Sequence, residues 1–259
     1  MSAVREQLLV SAFWSIRRPQ AALTAGHFVI RLNDPAMEFS GDSAGDLLHC
    51  YHRLVGAMEQ LHGPVVAQIY VALNWQPVGD AIGEPVAETS TPTVHVFLQG
   101  ARLPSVSSIL QLPAHDRVPH DGATETDSAL REALHSQTGP AAGVAGLPPS
   151  PTFSVKELSD VQWTAVLEPR SPTVRSMGVE RLLKLAATLE SLHARAAPAI
   201  AGATLWACEQ WTAGGKGAVD GNGAATINLF GRRHGHGENP VADFVLSGAL
   251  DVPQQPGWA

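Results

Sequence analysis

The sequence predicts an α+β fold built from two copies of one unit. One passage reads GDSAGDLLHCYHRLVGAMEQLHGPVVAQIYVALN…TPTVHVFLQGAR, and a later one RSMGVERLLKLAATLESLHARAAPAIAGATLWACEQW…AATINLFGRRHG. Each gives an amphipathic helix, a short turn, a strand, a polar connection with Gly, and a second strand. Each second strand carries a Thr-x-polar-x-Phe frame, Thr93, His95 and Phe97 in one and Thr226, Asn228 and Phe230 in the other. Only the first copy keeps a histidine there, which makes His95 the best pointer to a site. The expected boundaries are a first unit at 1–103, a linker or insertion at 104–152, and a second unit at 153–259.

The elements follow in order. Residues from about 8 to 16 and the GHFVIRL run at 26–32 are rich in β-branched and aromatic residues, so both read as strands, punctuated by RRPQ and RLNDP. Ser43 is placed to cap the next helix, with Asp46 near the positive end of its dipole. Leu47, Leu48, Tyr51, Leu54, Val55, Met58 and Leu61 make one apolar stripe, and HisGlyPro at 62–64 stops it. QIYVALN and TVHVFLQ read as strands around a polar loop from Trp75 to Pro92. Residues from about 104 to 152 are rich in Pro, Ala, Gly, Ser and Thr. A short helix at 127–136 (DSALREALHS) is expected, the rest reads as a linker or mobile insertion, and the stretch as a whole is expected to contribute little core. In the second unit, VQWTAVLEP is a strand and Ser176 caps a helix with stripe residues Val179, Leu182, Leu183, Ala186, Leu189 and Leu192. ATLWACEQW and ATINLFGRR are strands around a Gly-rich turn, and ADFVLSGAL reads as a last edge strand.

Composition narrows the function classes. A chain of 259 residues with 44% hydrophobic content can bury a substantial core. The net charge of -7 argues against a general nucleic-acid or anionic-membrane surface, so neither partner is expected. Cys50 and Cys208 sit in apolar patterns and read as buried free thiols; with no CxxC pair, a thiolate zinc site is not expected. The apolar run in MSAVREQLLVSAFW is too short for a signal peptide, and no stretch approaches a membrane span, so a cytoplasmic location is expected.

Helix, strand, loop, then a strand carrying histidine resembles the plan of the histidine-triad (HIT) superfamily. GHFVIRLND resembles that family's early strand. ALN at 72–74 resembles the segment ending in a phosphate-contacting Asn, here Asn74. TVHVFLQ resembles the strand bearing the His-Φ-His-Φ-His motif, or the His-x-His-x-Gln of the galactose-1-phosphate uridylyltransferase branch, which carries the fold twice in one chain. The resemblance implies two HIT-like units, antiparallel sheets with packed helices, and a phosphorylated nucleotide or nucleotide sugar as ligand. No cofactor and no metal are expected, and a homodimer is left open.

Family chemistry uses a histidine as nucleophile at phosphorus, on a strand where alternate residues share a face. Here that face carries Thr93, His95, Phe97 and Gln99. If His95 is the motif's first histidine, Gln99 matches the glutamine and the nucleophile has become Phe97. If His95 is the nucleophile, Thr93 and Phe97 replace its neighbours. We favour the first frame because His95 and Gln99 then both match. His95 and Gln99 are the candidate catalytic residues; Asn74, Thr93, Phe97, Arg232 and Arg233 are the candidate substrate contacts. A core histidine bonded to backbone is the bland alternative. His234, His236 and Glu238 alternate beside the two arginines, and read as a solvated hairpin end, an anion contact or a metal site. The function expected is a nucleotide-binding transferase or hydrolase with a degenerate active strand. The alternatives are a non-catalytic binding or assembly protein, and a HIT scaffold acting on a non-nucleotide substrate.

Overall fold

A computed structural model describes residues 7–19, 21–34, 36–74, 93–100, 103, 109, 116–137, 152–159, 162–168, 177–196, 200–208 and 226–233. In chain order the elements are β1 (Gln7–Val10), β2 (Trp14–Arg17), β3 (His27–Leu32), α1 (Gly41–His62), β4 (Val65–Asn74), β5 (Thr93–Gly100), α2 (Asp127–Ser136), β6 (Thr152–Ser159), β7 (Gln162–Glu168), α3 (Val179–Ala196), β8 (Ile200–Cys208) and β9 (Thr226–Arg233). The fold is α+β. Among the described residues the strands form one nine-stranded sheet in the order β1-β2-β3-β5-β4-β8-β9-β7-β6. Every pairing is antiparallel.

Strand alternation sorts the sheet into two faces. Phe28, Ile30, Val65, Ala67, Ile69, Val96, Leu98, Leu205, Ala207, Ile227 and Leu229 join one core with Cys50, Tyr51, Leu54, Val55 and Met58 of α1 and Leu185 and Leu192 of α3. The residues between them in sequence, His27, Gln68, Tyr70, His95, Phe97, Asn228 and Phe230, are buried too. By alternation they lie on the opposite face, so the sheet is covered on both sides over this stretch.

With β1 set aside, the strand order reads the same from either end, β2, β3, β5 and β4 matching β6, β7, β9 and β8. The centre is the β4–β8 pair, where Tyr70 is the Cα partner of Trp206. Val29 and Tyr70 flank His95 on one side of it. Trp206 and Thr164 flank Asn228 on the other. His95 and Asn228 therefore stand on one row, each one strand out from the central pair. Three strand spacings separate them, about 14 Å.

The structure corrects four sequence expectations. The single strand at 8–16 is a hairpin of β1 and β2. Its turn is held by Asp46, which accepts hydrogen bonds from Ser11 Oγ, from Phe13 N at 2.7 Å and from Trp14 N at 3.1 Å. Asp46 thus tethers the hairpin rather than decorating a helix start. The cap of α1 is Ser40, not Ser43: the two serines bond reciprocally, Ser40 N donating to Ser43 Oγ at 2.8 Å and Ser43 N to Ser40 Oγ at 3.4 Å. β6 falls in a stretch expected to precede the strands of the second unit. Finally, the 104–152 segment is not merely a linker. Its expected helix is α2, and Leu130, Ala133 and Leu134 enter the core. Each buried leucine contributes roughly 1.5–3 kcal/mol relative to exposure. Arg53 Nη2 of α1 also donates to the Leu134 carbonyl.

Ser176, the 75–92 loop, the Gly-rich turn after β8, the expected edge strand ADFVLSGAL, and His234, His236 and Glu238 lie outside the described residues. Cys50 is buried and free, and burial pushes its thiol up to about 12, so it is unreactive at neutral pH. Among the described residues no helix is long and apolar enough to cross a membrane.

Candidate functional site

β5 runs through the middle of the first half of the sheet, paired with β3 on one side and β4 on the other. Its alternate residues Thr93, His95, Phe97 and Gln99 share the face away from the helices, while Val96 and Leu98 join the helix-side core. His95 and Phe97 are 3% and 2% exposed, and Thr93 and Gln99 are half-buried. The four residues therefore share one face of β5, and its centre is almost sealed from water.

At that centre His95 meets a second histidine. His27 Nε2 lies 3.0 Å from His95 Nδ1. The other nitrogen of His27, Nδ1, accepts a hydrogen bond from the Leu23 backbone N–H at 3.1 Å. A backbone N–H can only donate, which settles the proton positions. His27 must be bare at Nδ1 and, when neutral, carries its hydrogen on Nε2. That hydrogen is donated to His95 Nδ1. Neutral His95 is then bare at Nδ1 and carries its hydrogen on Nε2. A relay of two hydrogen bonds thus makes His95 Nε2–H a donor.

Burial keeps both rings neutral. It lowers His95 from 6.5 to about 4. His27 is held well below its ordinary value, first by burial, then by His95 and the Arg18 guanidinium. Two adjacent imidazolium ions in this setting would repel each other and lose hydration.

Packing holds the relay in place. Phe97 is the direct Cα partner of His27. Their rings stack with centroids 4.2 Å apart and planes at 27°. Tyr70, the Cα partner of His95 on β4, meets it edge-on at 6.1 Å. Such ring pairs contribute about 0.5–1.5 kcal/mol beyond their buried area. Phe97 therefore supports His27 across the strand.

The turn before β3 delivers His27, and the chain anchors that turn heavily. A Cβ at Gly26 would sit 2.0 Å from the Leu98 carbonyl oxygen, so only glycine allows this approach of the turn to β5. Gly26 O in turn accepts from Leu98 N at 2.9 Å. Arg18 Nη1 donates to the carbonyls of Ala25 at 2.7 Å and His27 at 2.9 Å. Arg18 is itself held by Asp127, the first residue of α2, with Nη2 2.6 Å and Nε 3.1 Å from Oδ1. Both side chains are 3% exposed. The guanidinium also lies over the Phe28 ring, 4.0 Å from its centroid.

The remaining expected contacts sit elsewhere. Asn74 and Arg232 are both Cα partners of Gly202, so the sheet brings these two to one row. That row lies four residues along β4 from the row of His95, about 13 Å. Arg233 pairs with Ile200 at the end of β9. The site also holds residues that are not among the expected contacts. His27 is part of the GHFVIRL run, where its Gly-His pair was a visible signal. Gln68 is the Cα partner of Phe97. It is buried, and among the described residues its Oε1 has no hydrogen-bond partner. Arg18 and Asp127 gave no local signal. Among the described residues no three His, Cys, Asp or Glu side chains are placed to share a metal ion.

No protein-family model, curated protein sequence or solved structure matches the chain.

Proposed function

We propose that the chain binds a phosphorylated nucleotide or nucleotide sugar on a HIT-like scaffold and does not transfer the nucleotidyl group. The observation that carries this reading is the relay from Leu23 N–H through His27 to His95. A histidine nucleophile needs a lone pair on its outward nitrogen. On His95 that nitrogen is Nε2, because Nδ1 already faces His27. Baring Nε2 would move a hydrogen to Nδ1 and set it against the hydrogen on His27 Nε2. Leaving one such buried donor unmade costs about 1–3 kcal/mol, and the low basicity of the ring weakens attack further. A fixed N–H, by contrast, suits a phosphoryl or carbonyl oxygen. Gln68 Oε1, buried one strand away and without a partner among the described residues, offers an acceptor to a base or sugar hydroxyl.

Support for the scaffold comes from the symmetric strand order and from His95 and Asn228 standing on one row. Phe97 at the nucleophile's place, in the favoured motif frame, points the same way. Its ring is already stacked on His27.

A second reading has its own observation. With 3% exposure, His95 fits a non-catalytic protein whose histidine pair is a structural pin. One experiment separates the readings. The protein is screened by thermal shift and calorimetry against nucleotides and nucleotide sugars, and intact mass is recorded after incubation. The expected result is saturable binding, weakened at least tenfold by His95→Gln, with no covalent adduct. An adduct on His95 would overturn the non-transferring reading. Absence of binding across the panel would favour the structural pin.

A further inference from the structure

The helix layer carries a second feature, unconnected with the His95 face. Arg181 lies in the first turn of α3 and is 2% exposed. Its Nη1 and Nη2 are both buried, and among the described residues neither makes a hydrogen bond. A guanidinium presents its donors in a rigid fork, stays protonated at any ordinary pH, and is costly to bury without a counter-charge. Elsewhere the chain treats a buried arginine differently: Arg18 is fully engaged by Asp127 and two carbonyls.

The position is as telling as the burial. Side chains on a helix lean toward its N-terminus, so Arg181 leans over the first turn of α3. The backbone N–H groups of that turn lack intrahelical partners, and the helix dipole makes the end positive. Leu182 N is the first N–H described as closing the helical pattern, onto Gly178 O at 3.1 Å. A Cβ at Gly178 would meet nothing within 4 Å, so there is room beside the turn. The one acidic residue in this turn, Glu180, is 65% exposed and pairs with Lys184 at 3.3 Å. It does not serve as the counter-charge. A Cβ at Gly45 would lie 3.7 Å from Val179 Cγ2, so this end of α3 lies beside α1.

We infer that Arg181 and the N-terminal turn of α3 form a binding site for a phosphoryl group. A tetrahedral oxyanion has enough oxygens to meet the guanidinium fork and N–H groups of the first turn together. The site lies on the helix side of the sheet, so it is separate from the nucleotide reading and stands or falls independently of it.

The test uses inorganic phosphate on the whole chain, with potassium chloride at matched ionic strength as control and potassium acetate as the carboxylate arm. Phosphate should raise the melting temperature saturably by several degrees. Arg181→Met should abolish that rise, and Arg181→Lys, which keeps the charge without the fork, should reduce it. In the absence of phosphate, Arg181→Met should melt no lower than wild type, because it removes an unpaired buried charge. An equal response to acetate would overturn the phosphoryl assignment in favour of a carboxylate. No response to phosphate, or a full response in Arg181→Met, would overturn the site itself.

Discussion

A histidine is defined less by its ring than by what holds each nitrogen. His95 is bonded at Nδ1 by His27, and His27 is bonded at Nδ1 by a backbone amide that cannot accept. Proton placement therefore follows from Leu23, two residues removed in contact from the ring it controls. Replacing His27 with Ala leaves Leu23 N–H and His95 Nδ1 without partners and opens a cavity beside Phe97. The expected cost is on the order of 3 kcal/mol by chemical unfolding. The expected local sign is loss of hydrogen-exchange protection at the Leu23 amide. Full protection there would mean that His27 is not its acceptor. At this scale the sequence was partly legible. Alternation alone put Thr93, His95, Phe97 and Gln99 on one face. His27 was visible as Gly-His, but its pairing with His95 needs the β3–β5 register, which no local pattern encodes.

The elements explain why that register is held. Gly26 admits the turn against Leu98, and Arg18 fixes the turn's carbonyls, but Arg18 depends on a helix 109 residues away. The helix itself was legible from DSALREALHS, with its apolar spacing inside a Pro- and Gly-rich stretch. The role of Asp127 was not, because a first-turn carboxylate reads equally well as a helix-dipole partner. Its burial against Arg18 decides the matter. Asp127→Asn removes the counter-charge and leaves a buried guanidinium, which should destabilise the protein by about 3–5 kcal/mol in urea titration. The variant should also loosen the turn at 21–27. A change below about 1 kcal/mol would place this ion pair with exposed, weakly contributing ones. The α1 start teaches the same lesson in reverse. Ser43 has the right residue type for a cap, yet Ser40 also does, and the reciprocal serine bonds select the earlier one.

At the scale of the whole molecule, the matched segments in sequence meet a strand order that is symmetric about the β4–β8 pair. Sequence spacing could suggest a repeat. It could not say that the halves would share one sheet, because joining β4 to β8 is a long-range choice. The buried histidines couple this whole structure to pH. An unfolded histidine titrates near 6.5, whereas His95 in the fold titrates at about 4. Between these values the unfolded chain holds a proton that the folded chain does not. Stability is therefore complete above pH 6.5 and falls as the pH drops toward 4, by about 3 kcal/mol from His95. His27 is shifted in the same direction and adds to the loss. Unfolding free energies measured from pH 7.5 to 4.5 should fall more steeply for wild type than for His95→Gln. Parallel profiles would show that His95 does not titrate this way.

The most direct measurement of the relay is nitrogen NMR on protein labelled with 15N-histidine, recorded at pH 7. His95 should give a protonated Nε2 and a bare, hydrogen-bond-accepting Nδ1, with the same tautomer on His27 and a scalar or through-space link between His27 Nε2–H and His95 Nδ1. A His95 ring protonated at Nδ1 and bare at Nε2 would hand it the lone pair of a nucleophile and contradict the donor role assigned to it.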